Sequence, residues 1–136
     1  MTGVRDRGSA VLEFVVVGCA LLPLVALGAS SAVAVHEAAS ATSAAAREAA
    51  RAFVTAPTPE QATVRAGAAA RLAFADRGRA LPVDALTLRC DGPCLVPGTT
   101  VLVTVDWSMP LPFLPGTVSL VSEQRMPVDE FRGEPE

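Results

Sequence analysis

The chain has 136 residues, a formal net charge of −3, eleven basic residues that are all arginine, and a hydrophobic share of 51%. That length holds one small domain, smaller still if a quarter of it crosses a membrane. The acidic balance excludes the clustered cationic footprint of a nucleic-acid-binding protein, and the hydrophobic share is concentrated in one stretch and in alanine-rich segments rather than spread evenly.

Residues 1–8 form a short leader with Arg5, Asp6 and Arg7, followed by Ser9-Ala10-Val11-Leu12-Glu13-Phe14. From Phe14 to Val35 there are 22 residues without a charge. At about 1.5 Å rise per residue, a helix of that length crosses roughly 30 Å of hydrocarbon. The competing reading is a secretory signal peptide cleaved near Ala32-Val33-Ala34, but its apolar core would be only about 7–15 residues, so the length favours an anchor. Arg5 and Arg7 before the span, with the next arginines only at Arg47 and Arg51, favour a cytoplasmic N-terminus and place the rest outside, where disulfides persist. Pro23 is expected to bend the span, and Gly28 with Ala32 makes a small-xxx-small pair of the kind that admits a second helix. Such pairs are also frequent by chance in alanine-rich sequence. Cys19, inside the span, reads as a small buried apolar residue, with a lipid-facing thiol as the alternative.

Beyond the span, residues 36–56 are rich in alanine with Glu37, Arg47, Glu48 and Arg51, and continue the membrane helix as a stalk that Pro57 and Pro59 end. Thr58 as N-cap, Pro59 at the first helical position and Glu60 and Gln61 in the first turn open a second helix that runs to about Arg77 and stops at Gly78. Val64, Ala68, Leu72 and Ala75 recur at helical spacing and form the stripe expected to pack. After Pro82 the period changes to that of strands, at Leu86–Cys90, Thr100–Trp107 and, beyond the proline-rich loop Pro110–Gly116, Thr117–Met126. The tail after Phe131 is polar and expected to fray. The fold class is therefore α+β: a long N-terminal transmembrane helix continuing as a stalk, a second helix, then a small, mostly antiparallel sheet. The divisions are a leader at 1–8, a membrane helix at 9–35, a stalk at 36–56, an extracytoplasmic module at 57–131 and a flexible tail at 132–136.

Cys90 and Cys94 enclose Asp91-Gly92-Pro93, a turn-forming sequence, and outside the cytoplasm a disulfide is expected to close this small loop if the turn brings their Cα atoms within about 7 Å. Zinc is the rival, but a structural site wants four ligands and the one histidine, His36, lies at the distant membrane boundary. His36 reads as an interfacial helix residue and Trp107 as a strand residue packing on the second helix. With one histidine and no phosphate-binding glycine loop or paired-histidine motif, the sequence offers no catalytic constellation. No enzyme activity, cofactor or metal is expected.

Glu13 is the residue that asks for an explanation, because an acid carried to mid-bilayer costs on the order of 3 kcal/mol on insertion scales and is by default a functional candidate. The run Gly8-Ser9-Ala10-Val11-Leu12-Glu13-Phe14, after a basic leader and before an apolar helix, resembles the class III signal of type IV pilin-like proteins. There a prepilin peptidase cuts after the glycine and a glutamate stands fifth in the mature chain. Together with the alanine-rich stalk and the strand-rich outer module, it is similar to the TadE-type (TadE-like or TadF-like) minor pseudopilins of the tight adherence, or Flp, pilus. The motif covers about the first quarter of the chain; beyond it only the order and size of elements match.

The resemblance implies cleavage between Gly8 and Ser9, an assembly role for Glu13 beside Phe14, and as partners the membrane, a prepilin peptidase, other pilin-like subunits and the inner-membrane assembly platform. Cleavage would turn the Ser9 amide into an ammonium four residues before Glu13, on the same helix face or offered to a neighbouring subunit. Two alternatives stand beside it. In one, Glu13 is an interfacial acid that snorkels to the headgroups. In the other, the chain is an uncleaved single-pass protein whose outer module binds an envelope partner through the apolar loop at Leu111, Phe113 and Leu114.

Overall fold

The computed structural model describes residues 6–131. Two helices are followed by three strands: α1 (Asp6–Val54), α2 (Pro59–Ala75), β1 (Leu86–Cys90), β2 (Thr100–Pro110) and β3 (Thr117–Pro127). This is the α+β layout expected from the sequence. The expected tail at 132–136 and the first five leader residues lie outside the described residues.

Span and stalk form one continuous helix, as expected, and that helix already begins within the expected leader. A single 49-residue helix starts inside the leader, at Asp6, and continues through Pro23 to Val54. At 1.5 Å per residue it is about 70 Å long. It ends where the Ala56 amide donates to the carbonyl of Phe53, just before Pro57.

α2 begins as its sequence dictates. Thr58 is extended, its side chain accepts from the amide of Gln61 at 3.3 Å, and Pro59 fills the first helical position, where no amide is needed. Its other end closes through Asp76 N–H to Leu72 and Arg79 N–H to Phe74, with Gly78 supplying the left-handed turn at φ +66.

The strands form one antiparallel sheet in the order β1-β2-β3. Leu86 stands opposite Val105 and Cys90 opposite Val101; Thr100 stands opposite Pro127 and Pro110 opposite Thr117. β2 and β3 are each longer than the runs read from the sequence, which stopped at Trp107 and Met126, because pairing carries the ladder to the prolines that bound the hairpin. Side chains alternate across the sheet. Val101, Val103, Val105 and Met109 are buried on one face, and the opposite register puts Met126, Leu120 and Val118 of β3 on that same face.

Both helices cover this face: α1 packs against α2, β2 and β3, while α2 reaches β1. The buried side of α1 is almost entirely alanine, including Ala38, Ala41, Ala45, Ala46, Ala49 and Ala50, with Phe53 at its end. α2 answers with Ala62, Ala66, Ala70, Ala73 and Phe74. Rows of small side chains four residues apart let two helices pack closely, and the larger Val and Phe side chains fill the space beneath them.

This corrects the stripe expected on α2. Val64 and Leu72 are 69% and 63% exposed, and Ala68 and Ala75 are exposed as well. In a helix this rich in alanine more than one face is apolar, and the face that packs is the one whose residues are small enough for close approach, apart from Phe74.

Candidate functional site

The first half of α1 differs from everything else in the chain. Its most apolar 18-residue window has a mean hydropathy of 2.5, and none of that window is buried within the chain. Phe14 is 79% exposed, and Val11, Leu12, Leu22 and Leu24 project freely too. Gly28 has nothing within 4 Å of the place where a Cβ would stand, and Ala32 is exposed. Cys19 is a free, exposed thiol on the same segment. This helix is long and apolar enough to cross a membrane, and the other described residues leave its apolar side chains uncovered.

Gly8, Ser9, Glu13 and Phe14 all lie on the first turns of α1. Backbone positions 9 and 13 are one turn apart on one face, so an amine at position 9 would be a near neighbour of the Glu13 carboxylate. Glu13 itself is exposed, with the apolar side chains of Leu12 and Phe14 beside it.

The cysteines belong to the other end of the molecule. Cys90 and Cys94 are joined in a disulfide with Cα atoms 5.5 Å apart, closing a loop at the end of β1. In that loop the Asp91 carboxylate accepts from the Thr100 amide at 2.7 Å, and the Asp91 amide donates to the Thr100 carbonyl. The loop is a structural closure at the end of the sheet where β2 starts. The expected processing and assembly residues, Gly8, Ser9, Glu13 and Phe14, are not brought near it.

Between these ends lies a junction that the sequence did not disclose. Trp107, on β2, meets Phe74 of α2 edge to face at a centroid distance of 5.2 Å. Its indole N–H donates to the Thr42 hydroxyl at 2.7 Å, and that hydroxyl donates to the Ala38 carbonyl. The packing of Trp107 on the second helix was readable; the buried Thr42 that anchors its polar edge was not, because a threonine among alanines carries no signal of its own.

Arg79, just past α2, lies 6.0 Å from the Trp107 ring centroid and donates to the carbonyl of Ala34 at 3.4 Å. It lines a cleft of about 320 Å³ with Arg77, His36, Glu37 and Ser40. His36 is exposed on α1, where the apolar run ends. Among the described residues, no group of three or more histidine, cysteine or acidic side chains is placed to share a metal ion.

Counting from Ala10, Ser31 is the first side chain along α1 to be covered, at 4% exposure, while Ser30 and Ala32 beside it are exposed. The cover is the turn between β2 and β3: the Ser31 hydroxyl is 2.6 Å from the Pro112 carbonyl oxygen and donates to it, with the Leu27 carbonyl at 3.0 Å as the intrahelical alternative.

The chain matches no protein-family model, no curated protein and no solved structure.

Proposed function

We propose that this chain is a minor pilin-like subunit for assembly of a tight adherence (Flp, type IVb-like) pilus. It is held in the cytoplasmic membrane with its N-terminus inside and its α+β module outside until a prepilin peptidase cuts after Gly8. The single observation that supports this best is the coincidence of the Gly8-Ser9-x-x-x-Glu13-Phe14 signal with a helix whose whole apolar half is left uncovered by its own chain. Such a helix packs first among lipids and then among other helices of its kind. The protein works by that packing and not by turnover.

Cleavage supplies the counter-charge for Glu13. The new Ser9 ammonium is positioned one helical turn away, and in an assembly the same amine can face the Glu13 of a neighbouring subunit. The partners of this reading are the peptidase, other pilin-like subunits and the inner-membrane platform.

Intact mass measurement of the membrane-extracted protein tests the reading. Ser9 as first residue in cells with the peptidase, and an unshortened chain in cells without it, is the expected pair of results. A leader retained in both turns the assignment to an uncleaved single-pass protein, and an N-terminus near His36 turns it to ordinary secretion. Glu13→Ala should insert normally yet lower piliation; undiminished piliation would remove the role given to Glu13.

A further inference from the structure

We infer that the turn between β2 and β3, residues 111–116, is a second membrane contact, sunk into the same lipid leaflet from which α1 emerges. The inference rests on α1 spanning a bilayer, and it concerns a part of the outer module that the pilin-like signal does not touch.

Depth comes from the contact with α1. The Ser31 hydroxyl bonds the Pro112 carbonyl at 2.6 Å, so the tip of the hairpin is level with Ser31. Ser31 lies four residues before Val35, the end of the uncharged run, which sets the tip about 6 Å inside the apolar segment. That is the depth at which interfacial elements bury their apolar faces, about 5–10 Å into the boundary between headgroups and acyl chains.

The chemistry of the tip suits that depth. From Trp107 through Ser122 no residue is charged. Phe113 is 73% exposed and Leu114 42% exposed, while Leu111 and Pro112 are half-buried beside them. The turn is held in shape by the Leu111 amide donating to the Gly116 carbonyl at 3.0 Å. Phe113 sits at φ +64, a backbone region unfavourable for a bulky residue, and Gly116 at φ +118. The fold thus holds an aromatic side chain outward at a strained position where water would be its poorest solvent.

The opposite end of the sheet has the contrary character. Arg89, Asp91 and Arg125 line a cleft there, and Asp129 and Glu130 follow β3. Between the two ends, the Arg79 guanidinium bonds the Ala34 carbonyl, placing a cation where the apolar run of α1 ends. Arginine side chains near the ends of membrane helices extend to headgroup level. The occupant of the Phe113 and Leu114 surface is therefore lipid: anything touching it at that level stands at bilayer depth, continuous with the uncovered side chains of α1. Two points of attachment, helix and hairpin tip, fix the rotation of the outer module over the membrane.

Single thiols in the full chain test this, with Cys19→Ala as background and the Cys90–Cys94 bond intact. Each thiol carries a polarity-sensitive fluorophore, and the protein is reconstituted in vesicles of phosphatidylethanolamine and phosphatidylglycerol containing acyl chains with nitroxide quenchers. Phe113→Cys should emit blue-shifted and be quenched several-fold more than Val96→Cys in the distal loop, approaching Val15→Cys inside α1. Leu114→Cys serves as the second tip position. Water-like, unquenched emission at both 113 and 114 with strong quenching at 15 would overturn the inference, leave the span intact and make the tip a protein-binding surface. Absence of quenching at 15 would remove the span and the inference with it.

Discussion

The two halves of α1 are one uninterrupted helix with opposite surroundings. Residues 10–30 carry Val, Leu and Phe and are exposed almost throughout; from Ser31 to Phe53 alanine is the commonest side chain, and the helix buries one face made largely of alanine. Hydrophobicity therefore does not say which part of the helix packs inside the protein. Side-chain size does: the bulky residues are left uncovered by the chain, while the small ones allow α2 and the sheet to approach the backbone.

Phe74 is the sharpest probe of the packed half, since it is fully buried and packed against Trp107 in the core that α1 shares. Phe74→Ala should destabilise the outer module by about 3–5 kcal/mol, read as a shift in its denaturant midpoint in detergent solution. Enlarging a residue of the alanine face tests the close approach directly. Ala45→Leu should cost about 1–3 kcal/mol by overpacking, whereas the equally apolar change Leu22→Ala in the uncovered half should leave the midpoint of the outer module where it was. Equal effects of these two would abolish the distinction between the halves.

Trp107→Phe keeps the edge-to-face contact with Phe74 but removes the indole donor to Thr42. A loss of about 1 kcal/mol is expected, accompanied by faster hydrogen exchange along β2. The smallest effect belongs to the outer face of α2: Leu72→Ser should change stability by less than about 0.5 kcal/mol, and a loss comparable to that of Phe74→Ala would return the packing stripe to Val64 and Leu72.

Much of the fold was legible because its signals are local. The Thr58 cap with Pro59, the stop at Gly78, the β-branched runs and the turn between the cysteines each act through neighbours in sequence, and each element stands where those residues put it. The candidate processing and assembly residues were legible for the same reason, as a contiguous run from Gly8 to Phe14. The face by which α2 packs was misread because alanine repeats fit several faces equally well.

Sequence alone determined that the chain opens with a helix long and apolar enough to cross a bilayer, that an acid stands near its start, and that two helices precede three strands. Only the tertiary structure decided which face of α2 is buried, that Thr42 receives the Trp107 indole, and that the β2–β3 turn reaches back to Ser31, a separation of 81 residues. Propensity and capping act within a few residues along the chain. Contacts between distant residues depend on which small surfaces fit together once the elements exist, and no local pattern of residues encodes that fit.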